Sequence, residues 1–393
     1  MLTAFAIFLC FAKHASAEAP LIVQDIECHG NVLTACSFIR GALYLSPGSP
    51  VDEEEIRNAV LRLSALPNFV AVKIHLEKGD ERGRVLVIVE VTEADPWTKE
   101  SVFATSVRGA VAFERIAGRI SNENLWGTNK VVSLEANGVI PLSGFSGQQY
   151  YARIQYADPR LFDNKNYFLI GGTTYQNDTI ELSTSAFIKN IDQQFLSVDL
   201  RIGRRIFDFS YLLAGYIQYP VANRNNRIVY SDGTTSTNTY APIGWLLASY
   251  GWNTEDDPFF PTRGSRLQIS YGGDVHGDYH HTDGGYRQTW KIDHSLLTLI
   301  LGNAPGIVYR GSLDRNFDLG LEYGRDIGAS TSGEIRKGRW YVQIGQLAPG
   351  SSYSGDPVSE AGVKAGVRLD TKTIGIVDVY FFGTKLVNVG GGQ

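Results

Sequence analysis

From about residue 100 to 385 the chain repeats one pattern. Runs of about ten residues alternate between apolar and polar side chains, and clusters of Gly, Asn, Asp and Ser separate them. Val131 to Val139, Tyr150 to Tyr156, Leu196 to Ile202, Tyr211 to Tyr219, Val363 to Leu369 and Ile374 to Phe382 are examples. A period of two gives a strand with two chemically different faces. About ten such residues is the length of a tilted strand crossing a bilayer. In lipid a sheet must close on itself, because each unpaired edge group costs several kcal/mol without water. The pattern therefore predicts a mainly β protein: a transmembrane antiparallel β-barrel over residues 100–386, with about 14–16 strands and an even number expected. A soluble sandwich or propeller is the competing reading of the same texture.

Composition fits the membrane reading. The 42 Gly, 20 Tyr and 19 Phe suit many strands, many turns and aromatic girdles. Mean hydropathy of −0.12 is too polar for a helical membrane protein and ordinary for a barrel with lipid-facing and lumen-facing residues. A net charge of −5 argues against nucleic acid as a partner. The polar stretch 220–241 is expected to be an extracellular loop.

The first hundred residues have another texture. An apolar run, Leu2 to Ala12, precedes Ala15-Ser16-Ala17, so residues 1–17 read as a secretory signal peptide without the usual basic segment. A buried helix is the alternative. Residues 20–94 mix strand and helix signals in the order β-α-α-β-β. Leu21 to Ile26 is a strand, Ser37 to Leu45 a helix, and Asp52 to Glu55 opens a second helix with acids in its first turn. Phe69 to Leu76 and Val85 to Val91 alternate on either side of a Lys78-Gly79-Asp80 turn. Cys28 and Cys36 are an even pair in an exported chain and a disulfide candidate; two free thiols are the alternative. Zinc is rejected there, because His29 is the one further ligand nearby.

Signals for chemistry are weak. His276, Asp278, His280, His281 and Asp283 cluster, but adjacent strand residues point to opposite faces, and a polar loop is the plainer reading. Glu255-Asp256-Asp257, beside Pro258, reads as a solvated turn rather than a pair of catalytic acids. No G-x-S-x-G elbow and no G-x-x-x-x-G-K loop occurs. The expectation is no catalytic site, no metal, no cofactor and no enzyme activity.

Several segments, in order, resemble the BamA/TamA superfamily of outer-membrane assembly factors and translocases. In the small domain the resemblance is to a POTRA domain, carried by Ile26, Gly30, Asn31, Pro47-Gly48, Asp52, Leu66 to Phe69, Val72, Val89-Glu90-Val91 and Glu93. In the barrel it is carried by Asn124-Leu125-Trp126-Gly127, by Asp158-Pro159 with Phe162, and by Tyr250-Gly251-Trp252, Asp257 and Phe260-Pro261-Thr262-Arg263-Gly264. One departure stands out. The family's lumen-folded loop bears V-R-G-F/Y, whereas here Val308-Tyr309-Arg310-Gly311 leads almost directly to Leu319-Gly320-Leu321-Glu322-Tyr323. Arg310 and Glu322 are the nearest candidates for a lumen ion pair.

The resemblance implies an outer-membrane location, with the POTRA-like domain in the periplasm. It implies unfolded outer-membrane or secreted clients as partners, with accessory proteins alongside. The POTRA-like domain would offer a strand edge to a client, either Phe69 to Leu76 or Val85 to Val91, with Val72 and Val87 as test positions. The barrel would have a weak seam between Ser101 to Val107 and Ile374 to Phe382. A passive solute pore and a barrel-anchored surface structural protein are the rival functions.

Overall fold

The computed structural model describes residues 20–387 apart from 65, 67, 109–110, 165, 183–187, 208, 238–242, 257–259, 277–279, 303–318, 332 and 348–358. The signal-peptide expectation for residues 1–17, Asp257 and Arg310 therefore lie outside the described residues. The chain divides into two units that meet between Ala94 and Asp95.

The first unit runs β1 (Leu21–His29), α1 (Cys36–Leu43), β2 (Pro50–Val51), α2 (Glu53–Ser64), β3 (Phe69–Lys78) and β4 (Arg84–Glu93). Its sheet has the order β2-β1-β4-β3, with β1 parallel and β3 antiparallel to β4. Asp52 accepts a hydrogen bond from the Glu55 backbone N–H at 2.8 Å, which starts α2, and Glu53, Glu54 and Glu55 oppose the helix dipole. Ala59 and Leu63 of α2 and Ile39 and Leu43 of α1 are buried against Val23, Ile26, Val87 and Val89 of the sheet. Cys28 and Cys36 are joined by a disulfide that ties the end of β1 to the start of α1. Their sequence separation of 8 is a short loop, so the link contributes about 2–3 kcal/mol through the unfolded state. Glu93 braces the same connection: its carboxylate accepts the backbone N–H groups of Val32, Leu33 and Thr34 at 2.8, 2.7 and 2.6 Å.

The second unit is a closed barrel of 15 strands. In chain order they are β5 (Trp97–Arg108), β6 (Val111–Leu125), β7 (Lys130–Ser143), β8 (Phe145–Asp158), β9 (Tyr167–Leu182), β10 (Ile188–Phe207) and β11 (Ser210–Tyr230). After the short outlying β12 (Thr235–Thr237) come β13 (Ile243–Asn253), β14 (Gly264–Asp274), β15 (His280–Ile292) and β16 (Ser295–Gly302). The last four are β17 (Leu319–Asp326), β18 (Ile335–Leu347), β19 (Ser359–Thr371) and β20 (Gly375–Val387). Every neighbouring pair is antiparallel except the closing one, β20 with β5, which is parallel. The expectation of an even count is thereby corrected. Alternating directions leave the first and last of 15 strands running the same way, and a parallel ladder joins them.

Alternation sorts the side chains. Leu134, Ile154, Leu200, Ile269, Leu321 and Ile344 face outward and are exposed, as a lipid-facing belt requires. Glu100, Arg119, Ser133, Asp199, Gln268 and Arg339 occupy the opposite parity and are buried inside. No helix among the described residues is long and apolar enough to cross a membrane.

The expected loop at 220–241 is also corrected. Residues up to Tyr230 continue β11, still paired with β10 as far as Ile188↔Tyr230. These strands have 20 and 21 residues, or about 65–70 Å at about 3.3 Å each, against a hydrocarbon core of about 30 Å. The hairpin therefore overhangs the membrane band. There it keeps its backbone hydrogen bonds without needing an apolar face, so its polar sequence hides the strands.

Candidate functional site

Three places carry the features expected to matter: the closing seam, the edge of the small sheet, and the barrel rim from which β5 starts.

At the seam nine residue pairs run in parallel register, from Ile376↔Glu100 to Thr384↔Arg108. Parallel pairing is slightly less stable per residue than antiparallel, so on ladder type this is the weakest joint of the ring. On its lumen side Val102 and Ala104 of β5 and Ala117 of β6 form one buried apolar cluster with Tyr341, Tyr380 and Phe382. The β20 lip is braced from behind. Asp378, 2% exposed, accepts hydrogen bonds from Arg368 at 2.6 and 3.1 Å and from the Tyr341 hydroxyl at 2.8 Å. Lys364 lies 4.0 Å from the Tyr380 ring centre. One lip is thus held by charge to β18 and β19, and it meets the other lip through the ladder and apolar contact.

In the small sheet β3 is an edge strand and carries Val72, half-buried against the core. Val87 is not an edge residue. It sits on β4 between Ile26 of β1 and Leu76 of β3, fully buried. Both hairpin strands alternate alike in sequence, and the parallel docking of β1 decides which of them becomes central.

All three motif turns lie at the rim where β5 begins, because β6, β8 and β13 all run toward it. Between β6 and β7, Trp126 and Gly127 take left-handed conformations (φ 57° and 70°), and the Asn124 side chain accepts the Asn129 N–H at 3.0 Å. Lys130, just after this turn, pairs with Asp158 at 3.2 Å, and Arg205 donates to the Pro159 carbonyl at 2.9 Å. The first two marks are thereby drawn together. Tyr250-Gly251-Trp252 has a packing reason: a Cβ at Gly251 would lie 2.0 Å from the Tyr211 ring, which therefore rests on the bare glycine.

The third turn, between β13 and β14, is the most heavily built. Asp256 accepts the Thr262 N–H at 2.8 Å, the Thr262 hydroxyl at 2.5 Å and the Arg263 N–H at 3.3 Å. Partial burial raises its pKa, but these bonds outweigh that and hold the carboxyl below the usual carboxylate range. Gly264 closes the turn at φ +103°. Glu255 corrects the reading of a solvated acidic turn. Its side chain is 1% exposed, bound by Arg287 through two contacts of 2.6 Å, with Arg266 at 3.9 Å. Phe260 is 2% exposed, and Arg339 of β18 donates to the Pro261 and Phe260 carbonyls at 2.9 and 3.3 Å. Nothing local in the sequence pointed to Arg287 or Arg339, which come from other strands.

Glu322 lies on the inner face of β17, within electrostatic reach of Arg368. In the histidine-rich segment His280 stacks on Tyr271, ring centres 6.4 Å apart. Among the described residues no three His, Cys, Asp or Glu side chains are grouped to hold a metal.

No protein-family model matches the chain. No curated protein matches it by sequence. Solved structures do. CdiB from Acinetobacter baumannii matches with a TM-score of 0.56 at 12% identity, over 90% of this chain and 68% of that one. CdiB from Escherichia coli matches with a TM-score of 0.56 at 10% identity, over 90% and 70%. BamA from Haemophilus ducreyi lacking POTRA domains 1–3 gives a TM-score of 0.49 at 14% identity, over 94% and 82%. The chain is a transmembrane β-barrel protein with the fold of the CdiB structures, and at the level of fold the resemblance read from the sequence holds.

Proposed function

We propose that the chain is an outer-membrane barrel of the BamA/TamA type that assists the insertion or translocation of other proteins. The observation that carries this is the closing seam. A ring held by antiparallel ladders everywhere else is joined at its first and last strands by a parallel one. A joint of that kind is where a barrel can part to pair with a client strand at least cost. In this reading the small unit is a POTRA-like domain in the periplasm. It captures unfolded outer-membrane or secreted clients along the free edge of β3 by strand addition, with accessory proteins as further partners. The work is done by strand pairing and calls for no catalytic group or cofactor.

The test locks the seam. Phe103 and Val379 are register partners and both face outward. A Phe103→Cys, Val379→Cys chain, oxidised, should fold and insert. It should fail to restore the outer-membrane proteins lost on depletion, and reductant should reverse the failure. Full restoration by the oxidised, cross-linked chain would remove the seam from the mechanism.

A further inference from the structure

The first unit carries a braced loop with an apolar tip. Residues 30–35, Gly-Asn-Val-Leu-Thr-Ala, hold no charge. Val32 is 88% exposed and Leu33 is 52% exposed. The loop that presents them is held on several sides. The Cys28–Cys36 disulfide closes its base. The Glu93 carboxylate accepts the N–H groups of Val32, Leu33 and Thr34, and the Asn31 side-chain amide donates to the Thr34 carbonyl at 2.9 Å. Glu93 is the register partner of Phe69, so Val70, 72% exposed, stands at the same end of the sheet. Two apolar side chains are thus fixed in an exposed position. That arrangement forgoes the free energy their burial would give, and an apolar acceptor would recover it.

Chain length selects the acceptor. Glu93, which grips the loop, ends β4, and Trp97 begins β5, the first strand of the barrel. Four residue steps separate the two, a reach of about 14 Å at most. At the rim where β5 begins, Trp97, Trp126, Phe162, Phe207 and Phe209 are exposed, and aromatic side chains collect where a barrel meets the bilayer surface. That surface is within the tether's reach of Glu93. The tip is also suited to lipid. Unpaired backbone N–H groups are costly in hydrocarbon, and Glu93 already pairs those of Val32, Leu33 and Thr34. Two side chains alone hold a bilayer weakly, but the covalent link to the barrel raises their effective concentration there. We propose that Val32 and Leu33, with Val70 beside them, form a lipid-dipping tip that rests the small unit on the leaflet at the β5 end of the barrel. This goes beyond client capture. It rests on the barrel's place in the membrane and not on the assembly role, and its test involves no client.

The test places the full chain in phosphatidylethanolamine–phosphatidylglycerol vesicles with a nitroxide on Val32→Cys, and on Arg82→Cys as the control. Arg82 lies in the β3–β4 turn, at the opposite end of β4 from Glu93. Peptide mapping confirms that Cys28 and Cys36 stay paired, and heat-modifiable gel mobility confirms a folded barrel. Depth is read by power saturation against oxygen, which concentrates in lipid, and a nickel chelate, which stays in water. A tip dipped about 5–10 Å into the headgroup boundary should raise the oxygen-to-nickel collision ratio at residue 32 at least about threefold over that at residue 82. Adding Leu33→Asp to the Val32-labelled chain should return the ratio to the control value. A water-exposed label at residue 32 overturns the proposal. So does a label shielded from both reagents, which shows a protein contact, and so does a label that stays in lipid after Leu33→Asp, which shows the nitroxide anchoring itself. The reciprocal chain, Leu33→Cys with and without Val32→Asp, covers a failure of the first to fold and should give the same pattern.

Discussion

Gly264→Ala tests the strain on which the turn between β13 and β14 depends. Gly264 sits at φ +103°, and an added Cβ would lie 2.2 Å from the Thr254 carbonyl oxygen and 2.7 Å from its carbon. Those are backbone atoms and do not swing away. Holding a non-glycine residue there costs about 1–3 kcal/mol. Moving Thr254 out to an allowed contact strains the hydrogen bonds around it. Its N–H donates to the Ser265 carbonyl at 2.8 Å, and its hydroxyl accepts the Ser265 N–H at 3.0 Å. Losing two such bonds costs about 1–3 kcal/mol more, for a sum of about 2–6 kcal/mol. Gly233→Ala supplies the control, because Gly233 has φ +83° and nothing within 4 Å of an added Cβ. Urea unfolding in lipid vesicles, followed by tryptophan fluorescence, should show the Gly264 variant less stable than the Gly233 variant by the clash component of about 1–3 kcal/mol. Equal losses for the two would show that the close approach to Thr254 carries no energy, and the account of a rigid, pre-set turn would fail.

Val87→Pro should unfold the first unit, because proline in a central strand removes a ladder hydrogen bond that β1 or β3 needs; protease digestion of the full chain would show it. Val72→Pro, on the edge strand, should leave the unit protease-resistant and weaken client cross-linking. Leu134→Arg places a charge on the lipid face and should cost about 2–4 kcal/mol if that position lies near mid-membrane, measured by the same vesicle unfolding. Glu93 predicts a pH effect. Burial raises its pKa, but the bonds from Thr34, Leu33 and Val32 outweigh this and hold it below the ordinary carboxylate value. The resulting stabilisation is present above the unfolded value and lost as pH falls through the folded one. The melting difference between the unaltered chain and Glu93→Gln should therefore be steady near neutrality and vanish in acid; a difference that grows toward acid would reverse the sign.

The barrel was legible because its cause is local. Alternation is written into each strand, and closure follows from the cost of unpaired backbone in lipid. What was not legible depends on partners distant in sequence. Nothing in Ser101 to Val107 or in Ile374 to Phe382 says that they will lie parallel, since that follows from how many strands intervene. Val87 and Val72 carry the same alternating signal, and only the docking of β1 against β4 makes Val87 central. Glu255 has the composition of a wet turn, and its burial is decided by Arg287, 32 residues away. The polar end of the β10–β11 pair, toward Ile188 and Tyr230, has no apolar face to betray it, because outside the membrane band it needs none.

β18 links the β13–β14 turn to the seam. Arg339 and Tyr341 stand two residues apart on its inner face. One grips the Phe260–Pro261 carbonyls, and the other donates to Asp378 on β20, the lip of the closing joint. Asp378 is also bound by Arg368 on β19, so β18, β19 and β20 form one charge-braced panel. β5 meets that panel through the parallel ladder and a buried apolar cluster. Any parting at the seam would therefore separate β5 from a stiff panel rather than peel β20 alone. A displacement of the panel large enough to break nine ladder pairs would also move Arg339 against the turn it holds. The seam and the β13–β14 turn thus share one mechanical element, and a substitution that loosens β18 is expected to disturb both.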